Sequence, residues 1–490
     1  LAVRGAWDGS RFTLARALSQ DAPAWFWHVR LENAGTSAVR VDLVHAQDVA
    51  LAAYAAIRMN EYYVSQYLDH QPLAHAERGW TVAVRQNLAM GGRFPWALFG
   101  ALGRGVAYAT DALQLHGLAT RAGAPPAALA GDLPSQRLQH EHAMVCLQDE
   151  VVELAPGASV ERGFFAWMEA DHPAATAETD VACVARALAL PEAKAPDWAK
   201  LPAGGPPTVA TTFSTAALLE GDPLDEAELR ALYPGEWRQV ERAADGTLLS
   251  FFTGVATHVV LPAKERASLR PHGQILRTGD RLEPDESSLT TTVWMDGVFH
   301  SLVTQGHVNI NRTLSTVRSY LGLFRTGGLR VFADVASGLR LLAVPSVFDV
   351  SPGSARWTYA VAGNVIRVAS VAATNRHELL LRIDVLKGVE RRFVVTHHVA
   401  IGGDDGLDAK GVRYERDGDA VLVRTIPETE LGWRFPQGFL RIAPEAGTAL
   451  ASVATDGALF ADGRSRGEPF LVLDIAPSRT VGLRITGGLI

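Results

Sequence analysis

Apolar and polar residues alternate with a period of two along much of this chain, the pattern of half-buried strands. In the first half, Trp25 to Glu32, Val39 to Val49, Gly79 to Arg85, Val151 to Leu154 and Gly163 to Trp167 read as strands. The second half adds Leu248 to Leu261, Leu289 to Trp294, Arg330 to Val335, Leu339 to Val344, Val365 to Ala372 and Leu379 to Val385. Phe393 to Ile401, Val421 to Thr425, Phe470 to Ile475 and Val481 to Ile485 complete the set. Ala336-Ser337-Gly338 and Asp417-Gly418-Asp419 each join two strands, with glycine supplying the positive φ of a hairpin turn. Strands separated by turns, with few helices between them, predict antiparallel sheet and an all-β fold.

Three helices interrupt this pattern. Asp222-Pro223 precedes Leu224, Asp225, Glu226 and Glu228, giving a cap, a first-turn proline and acids against the helix dipole. That helix stops before Tyr233-Pro234-Gly235. Ala175 to Leu190 is the second and Leu314 to Phe324 the third. Prolines 191, 196, 202, 206 and 207, with Gly204-Gly205, mark a linker. The expected organisation is a first β-sandwich domain over 1–195, a linker over 196–215 and a second β-supersandwich domain over 216–490.

The strand pattern also repeats. YATDALQLHG, around Ala109-Thr110-Asp111, matches VATDGALFADG, around Ala454-Thr455-Asp456. ELAPGASV (Glu153 to Val160) matches LDIAPSRTV (Leu473 to Val481), and Leu31 to Ala46 aligns without gaps on Ile383 to His398, placing His45 on His397. Three matches in one order predict a duplicated unit. Asp111 and Asp456, being shared by both copies, are expected to serve turns, because Asp bonds its own backbone there.

Composition narrows the function classes. A hydrophobic content of 48% with 20% charged residues is ordinary for a globular chain with real cores. At 490 residues the chain is long enough for two sandwiches of about 200–250 residues each. A net charge of -7 argues against nucleic-acid or anionic-membrane surfaces, which want clustered Lys and Arg. No apolar run reaches the ~18 residues of a membrane helix. Cys146 and Cys183 lack a CxxC spacing and are expected as buried free thiols, which favours a cytoplasmic location. Both ends lie close to strands, so a fragment of a longer protein is expected.

The densest polar-aromatic cluster is NEYYVSQYLDHQPL, Asn60 to Leu73, followed by Arg85-Gln86-Asn87 and GGRFPW ending at Trp96. Aromatic faces pack on sugar rings while amides and carboxylates bond the hydroxyls, so this mixture suits a carbohydrate surface. The candidates are Tyr62, Tyr63, Gln66, Asp69, His70, Arg85, Gln86, Asn87 and Trp96. The competing view is that the tyrosines fill a sandwich core. The second copy lacks this cluster between Ile401 and Phe435 and carries GGDDG instead, which moves the expected ligand contact to the first copy.

NEYYVSQYLDH, the RQN and GGRFP that follow, and ATD resemble the N-terminal part of the 1,2-β-oligoglucan phosphorylases of glycoside phosphorylase family 94, which also holds cellobiose phosphorylase. Phe299 to Arg325, Leu341 to Val350 and Ala454 to Phe470 are similar too, so the resemblance covers nearly the whole chain. It implies galactose-mutarotase-like supersandwich domains, then a helical linker, a catalytic (α/α)6 barrel and a small jelly roll. The implied reaction is inverting phosphorolysis of a β-glucan oligosaccharide, with inorganic phosphate as co-substrate and no other cofactor. Nothing in this chain resembles the barrel, so no catalytic residue is carried over. A homodimer is the protein partner left open.

Weaker constellations remain. His140-Glu141-His142 places two histidines on one strand face, whereas adjacent His397 and His398 point to opposite faces. No zinc spacing occurs, and no metal is expected. Arg464, Arg466 and Glu468 form a polar loop able to hold a phosphate or carboxylate, though a solvated loop is favoured. The alternatives to a phosphorylase region are a free-standing carbohydrate-binding module and a mutarotase-like enzyme. The latter would pair His45, His140 or His142 with Glu141 or Asp69 as acid and base.

Overall fold

The computed structural model describes residues 1–53, 56–57, 63–122, 124–139, 142–201, 209–268, 271–283, 285–301, 303–306, 328–399 and 412–489. The expected helix Leu314 to Phe324, the GGDDG segment and the residues Tyr62, His140 and Glu141 lie outside them. The chain forms two compact units: Leu1–Gly117 with Pro125–Thr208, and Leu118–Ala124 with Val209–Ile490.

Among the described residues the first unit holds twelve strands: β1 (Ala2–Trp7), β2 (Ser10–Leu18), β3 (Ala24–Asn33), β4 (Val39–Val41), β5 (Val44–Asp48), β6 (Leu68–His75), β7 (Gly79–Gln86), β8 (Trp96–Ala101), β9 (Gly105–Asp111), β10 (Ala143–Asp149), β11 (Val152–Leu154) and β12 (Ser159–Glu169). Ten form one sheet in the order β1-β2-β3-β12-β8-β7-β9-β10-β5, with β6 on β7; β4 and β11 pair separately. Both faces of its centre are covered. Val82, Val84, Ala97, Phe99, Phe164 and Ala166 meet in one core. The alternate residues Ala83, Trp96, Leu98 and Phe165 meet Cys183, Val184 and Ala187 in another. Doubly covered strands such as β8 and β10 are buried at every position, so their sequences carry no alternation.

The second unit is a sandwich of a 6-stranded and an 11-stranded sheet, with a 3-stranded sheet beside them. Val331, Phe393, Val395, Leu471 and Leu473 of the smaller sheet share one core with Trp357, Tyr359, Val368, Leu381, Ile383 and Leu483 of the larger. The hairpin turns stand where they were expected, with Gly338 at φ +99° and Gly418 at φ +59°. Leu248 to Leu261, however, is a hairpin rather than one strand, turning at Gly254. Val39 to Val49 splits into β4 and β5. The helix at 222–233 runs from Glu226 to Leu232, capped by Asp225 in a reciprocal box with Glu228. Within Ala175 to Leu190 only Cys183–Leu188 is α-helical.

The repeat holds at the level of strand order. β10 lies between β9 and β5, and Phe470–Ser478 lies between Leu450–Thr455 and Arg391–His398. His45 opposes Leu147 and His397 opposes Leu471; Ala109 opposes Cys146 and Ala454 opposes Val472. Leu31 opposes Val160, as Ile383 opposes Val481. The strand neighbours therefore correspond in the two copies, and the Leu31–Val160 and Ile383–Val481 pairs keep the residue alignment, whereas the pairings on β10 and on Phe470–Ser478 differ in register by two residues. The shared strand order marks one scaffold used twice. The shared acids are structural in both copies. Asp111 caps the helix Ala112–His116, accepting from Leu113 N at 2.9 Å. Asp456 accepts from Ser465 Oγ, Arg466 N and Glu468 N at 2.6, 2.7 and 3.0 Å, which ties down the loop that follows it.

Candidate functional site

A helical turn leads into β6 and sorts its side chains by face. Val64 and Leu68 enter the core, and buried Ser65 accepts from Ala143 N at 2.8 Å. Tyr63 and Gln66 point outward. Tyr63 and Tyr67 are one turn apart, so their rings meet edge-on at 5.0 Å with hydroxyls 3.3 Å apart. Tyr63 is 47% exposed.

β6 then alternates. Asp69 and Gln71 share a face and both bond Arg137, Gln71 at 3.2 Å. His70 faces the other way, fully enclosed, and burial with the nearby Arg137 charge pushes its imidazole down to about 4. Gln139 donates to the Gln66 carbonyl at 3.2 Å, and Asn87 N donates to the Tyr67 carbonyl at 2.9 Å. The outcome is a surface patch of Tyr63, Gln66, Tyr67, Asp69, Gln71, Asn87 and Arg137. Arg137 and Gln71 were not among the expected residues. They are 66 positions apart and meet only through the fold, so no local spacing announces them.

The remaining candidates are engaged inside the unit. Gln86 is fully buried: Nε2 donates to Ala50 O and Val64 O at 2.9 and 3.2 Å, and Oε1 accepts from Leu88 N at 2.9 Å. Arg85 lies over Phe94 and donates to His172 O and Pro173 O at 2.8 and 2.9 Å, and to Asn87 Oδ1. Trp96 is closed to solvent, stacks on His172 at 5.1 Å and donates to Thr176 Oγ1 at 3.0 Å. These three side chains, with His70, hold the wall that carries the patch and have no face to offer a ligand.

The other constellations behave in the same way. His45 is sandwiched by Trp27 and Phe164 at 4.2 and 5.1 Å, and burial pushes it down to about 4. It cannot serve as a surface acid. His142 contacts Asp48 at 3.2 Å, and that hydrogen bond holds the Asp48 carboxyl below its usual range. Arg466 is clasped by both oxygens of Asp462, each at 2.6 Å, and stacks on Phe460 at 4.2 Å, so it is not free for a phosphate. Cys146 and Cys183 are free and buried. Among the described residues no group of three His, Cys, Asp or Glu side chains is arranged to hold a metal, and no helix is long and apolar enough to cross a membrane.

Comparison with known proteins adds a family. A model described as the SOGP N-terminal domain matches residues 1–166, and one described as the glycoside phosphorylase supersandwich domain matches residues 233–487. A 1,2-beta-oligoglucan phosphorylase of Listeria innocua serovar 6a is 32% identical over 413 residues, covering 82% of this chain and 36% of its own length. The chain thus spans about a third of that relative. Among solved structures, a polysaccharide lyase aligns over 76% of this chain and 36% of its own at 9% identity, with a TM-score of 0.23.

Proposed function

The chain belongs to the glycoside phosphorylase supersandwich family, and from that premise we propose that it is the carbohydrate-contacting region of an inverting phosphorylase acting on β-glucan oligosaccharides. The observation that carries the proposal is exposed Tyr63, packed edge-on against half-buried Tyr67, set beside Gln66, Asn87 and the Asp69–Arg137 pair. A pyranose ring has apolar C–H faces and a polar rim. Tyrosine rings supply the first contact, and amides, a carboxylate and a guanidinium supply the second.

Bond cleavage is assigned to an (α/α)6 barrel outside this chain. The longest α-helix among the described residues has seven residues. In this division of labour the sandwich orients the glucan. The barrel donates the proton to the glycosidic oxygen while inorganic phosphate attacks the anomeric carbon.

Titration of β-1,2-gluco-oligosaccharides into the chain by calorimetry tests the binding role. Saturable heat at millimolar sugar is expected; none would refute it. Incubation of the same chain with oligosaccharide and phosphate should release no glucose 1-phosphate, and turnover would overturn the assignment of chemistry to the barrel.

A further inference from the structure

The second unit carries an open cleft of about 360 Å³ that no role above uses. Its walls are residues 278–283 and 285–288, between strands Gly273–Arg277 and Leu289–Trp294, and the turn 373–378, between Asn364–Ala372 and Leu379–Lys387. The walls are fastened to each other. Gly279 N donates to Ala373 O at 2.9 Å, Thr278 Oγ1 lies 3.1 Å from His377 Nδ1, and His377 Nε2 lies 3.2 Å from Asp285 Oδ2. Asp285 is fixed in turn by Ser287 N at 2.9 Å and Ser288 Oγ at 3.2 Å. Gly279 adopts φ +85° against the His377 ring, where an added Cβ would sit 3.2 Å from Cε1. The shape is therefore preformed.

What remains unengaged is chemically mixed. Asp280, Arg281, Glu283, Thr374 and Asn375 line the cleft, and their side chains make no hydrogen bond among the described residues. Apart from the His377 imidazole, no aromatic or aliphatic side chain lines it, which disfavours an apolar ligand. Three carboxylates stand against two guanidiniums, those of Arg281 and Arg376, which disfavours a phosphate. No metal-holding group is present among the described residues. Carboxylates accept, the guanidinium donates, and the amide and hydroxyl do both. Vicinal hydroxyls, each a donor and an acceptor, match that lining, and the volume falls at the small end of ligand pockets, about 300–1,000 Å³.

We propose that this cleft, formed by residues 278–283 and 285–288 and the 373–378 turn, binds a neutral polyhydroxylated ligand of one or two sugar rings, giving the second unit a carbohydrate site of its own. The site stands on its own geometry and does not require the tyrosine patch.

Amide hydrogen exchange of the whole chain, with and without saturating β-1,2-linked glucose disaccharide, tests it. Peptides over 278–283 and 373–378 should be protected by the sugar. The pair Asp280→Ala and Asn375→Ala should weaken that protection by about tenfold or more in apparent affinity. Orthophosphate and calcium alone should protect neither peptide. Absence of protection, protection that survives the paired substitution, or protection by phosphate or calcium would each overturn the proposal. A Tyr63→Ala, Tyr67→Ala chain should keep protection here while losing it over 63–71, so the two sites stand or fall separately.

Discussion

His45 gives the most calculable prediction of the fold. Its ring lies between Trp27 and Phe164, and burial lowers its pKa from 6.5 to about 4. The unfolded chain takes up the proton near 6.5, the folded one only near 4. Between those values the unfolded state binds more protons, so stability rises with pH. His45's contribution is complete above about pH 6.5 and is lost as the pH falls toward 4. Integrating that difference, a histidine with these two pKa values costs the folded state about 2 kcal/mol at pH 5 and only about 0.2 kcal/mol at pH 7. In His45→Leu this component disappears, whatever the substitution costs in packing. Urea titrations at the two pH values, read by pulse hydrogen exchange on β5 and β10 peptides, follow this unit alone. The loss of stability from pH 7 to pH 5 should be smaller in the variant by about 2 kcal/mol. Equal losses in the two proteins would refute the burial argument for His45.

Three further outcomes follow from the geometry. Gln86→Ala removes a buried amide and leaves Ala50 O and Leu88 N unmet, so thermal unfolding should show a loss of about 2–4 kcal/mol. Asp456→Ala releases three donors and should cost about 2–4 kcal/mol, with faster amide exchange over 462–468; Asp111→Ala, a helix cap, should cost about 1 kcal/mol. Tyr63→Ala, at an exposed position, should change stability by no more than about 0.5 kcal/mol in the same unfolding experiment.

Much of the fold was legible from alternation and turn chemistry. Leu289–Trp294 has the expected limits, and the Gly338 and Gly418 hairpins stand as read. The matched histidines and the two ATD segments lie on corresponding strands. Strands covered on both faces were invisible to the same method: β8 reads WALFGA and β10 reads AMVCLQD, with every position buried. Alternation also ran through the turn at Gly254, hiding a hairpin. The site was harder to read because residue type does not reveal which face a side chain takes. Gln86 and Trp96 have the chemistry of sugar ligands but point into the unit, whereas Arg137 reaches the patch from a distant loop. The shared Asp111 and Asp456 behaved as expected of residues that maintain turns rather than chemistry.

The central claim is that the tyrosine patch of the first unit contacts a β-glucan. Parallel calorimetric titrations of a β-1,2-gluco-oligosaccharide into the chain and into its Tyr63→Ala, Tyr67→Ala form test it most directly. Loss of the stacking contacts should weaken the first unit's binding by about tenfold or more, with the fold intact. Heats that coincide for the two proteins would contradict it.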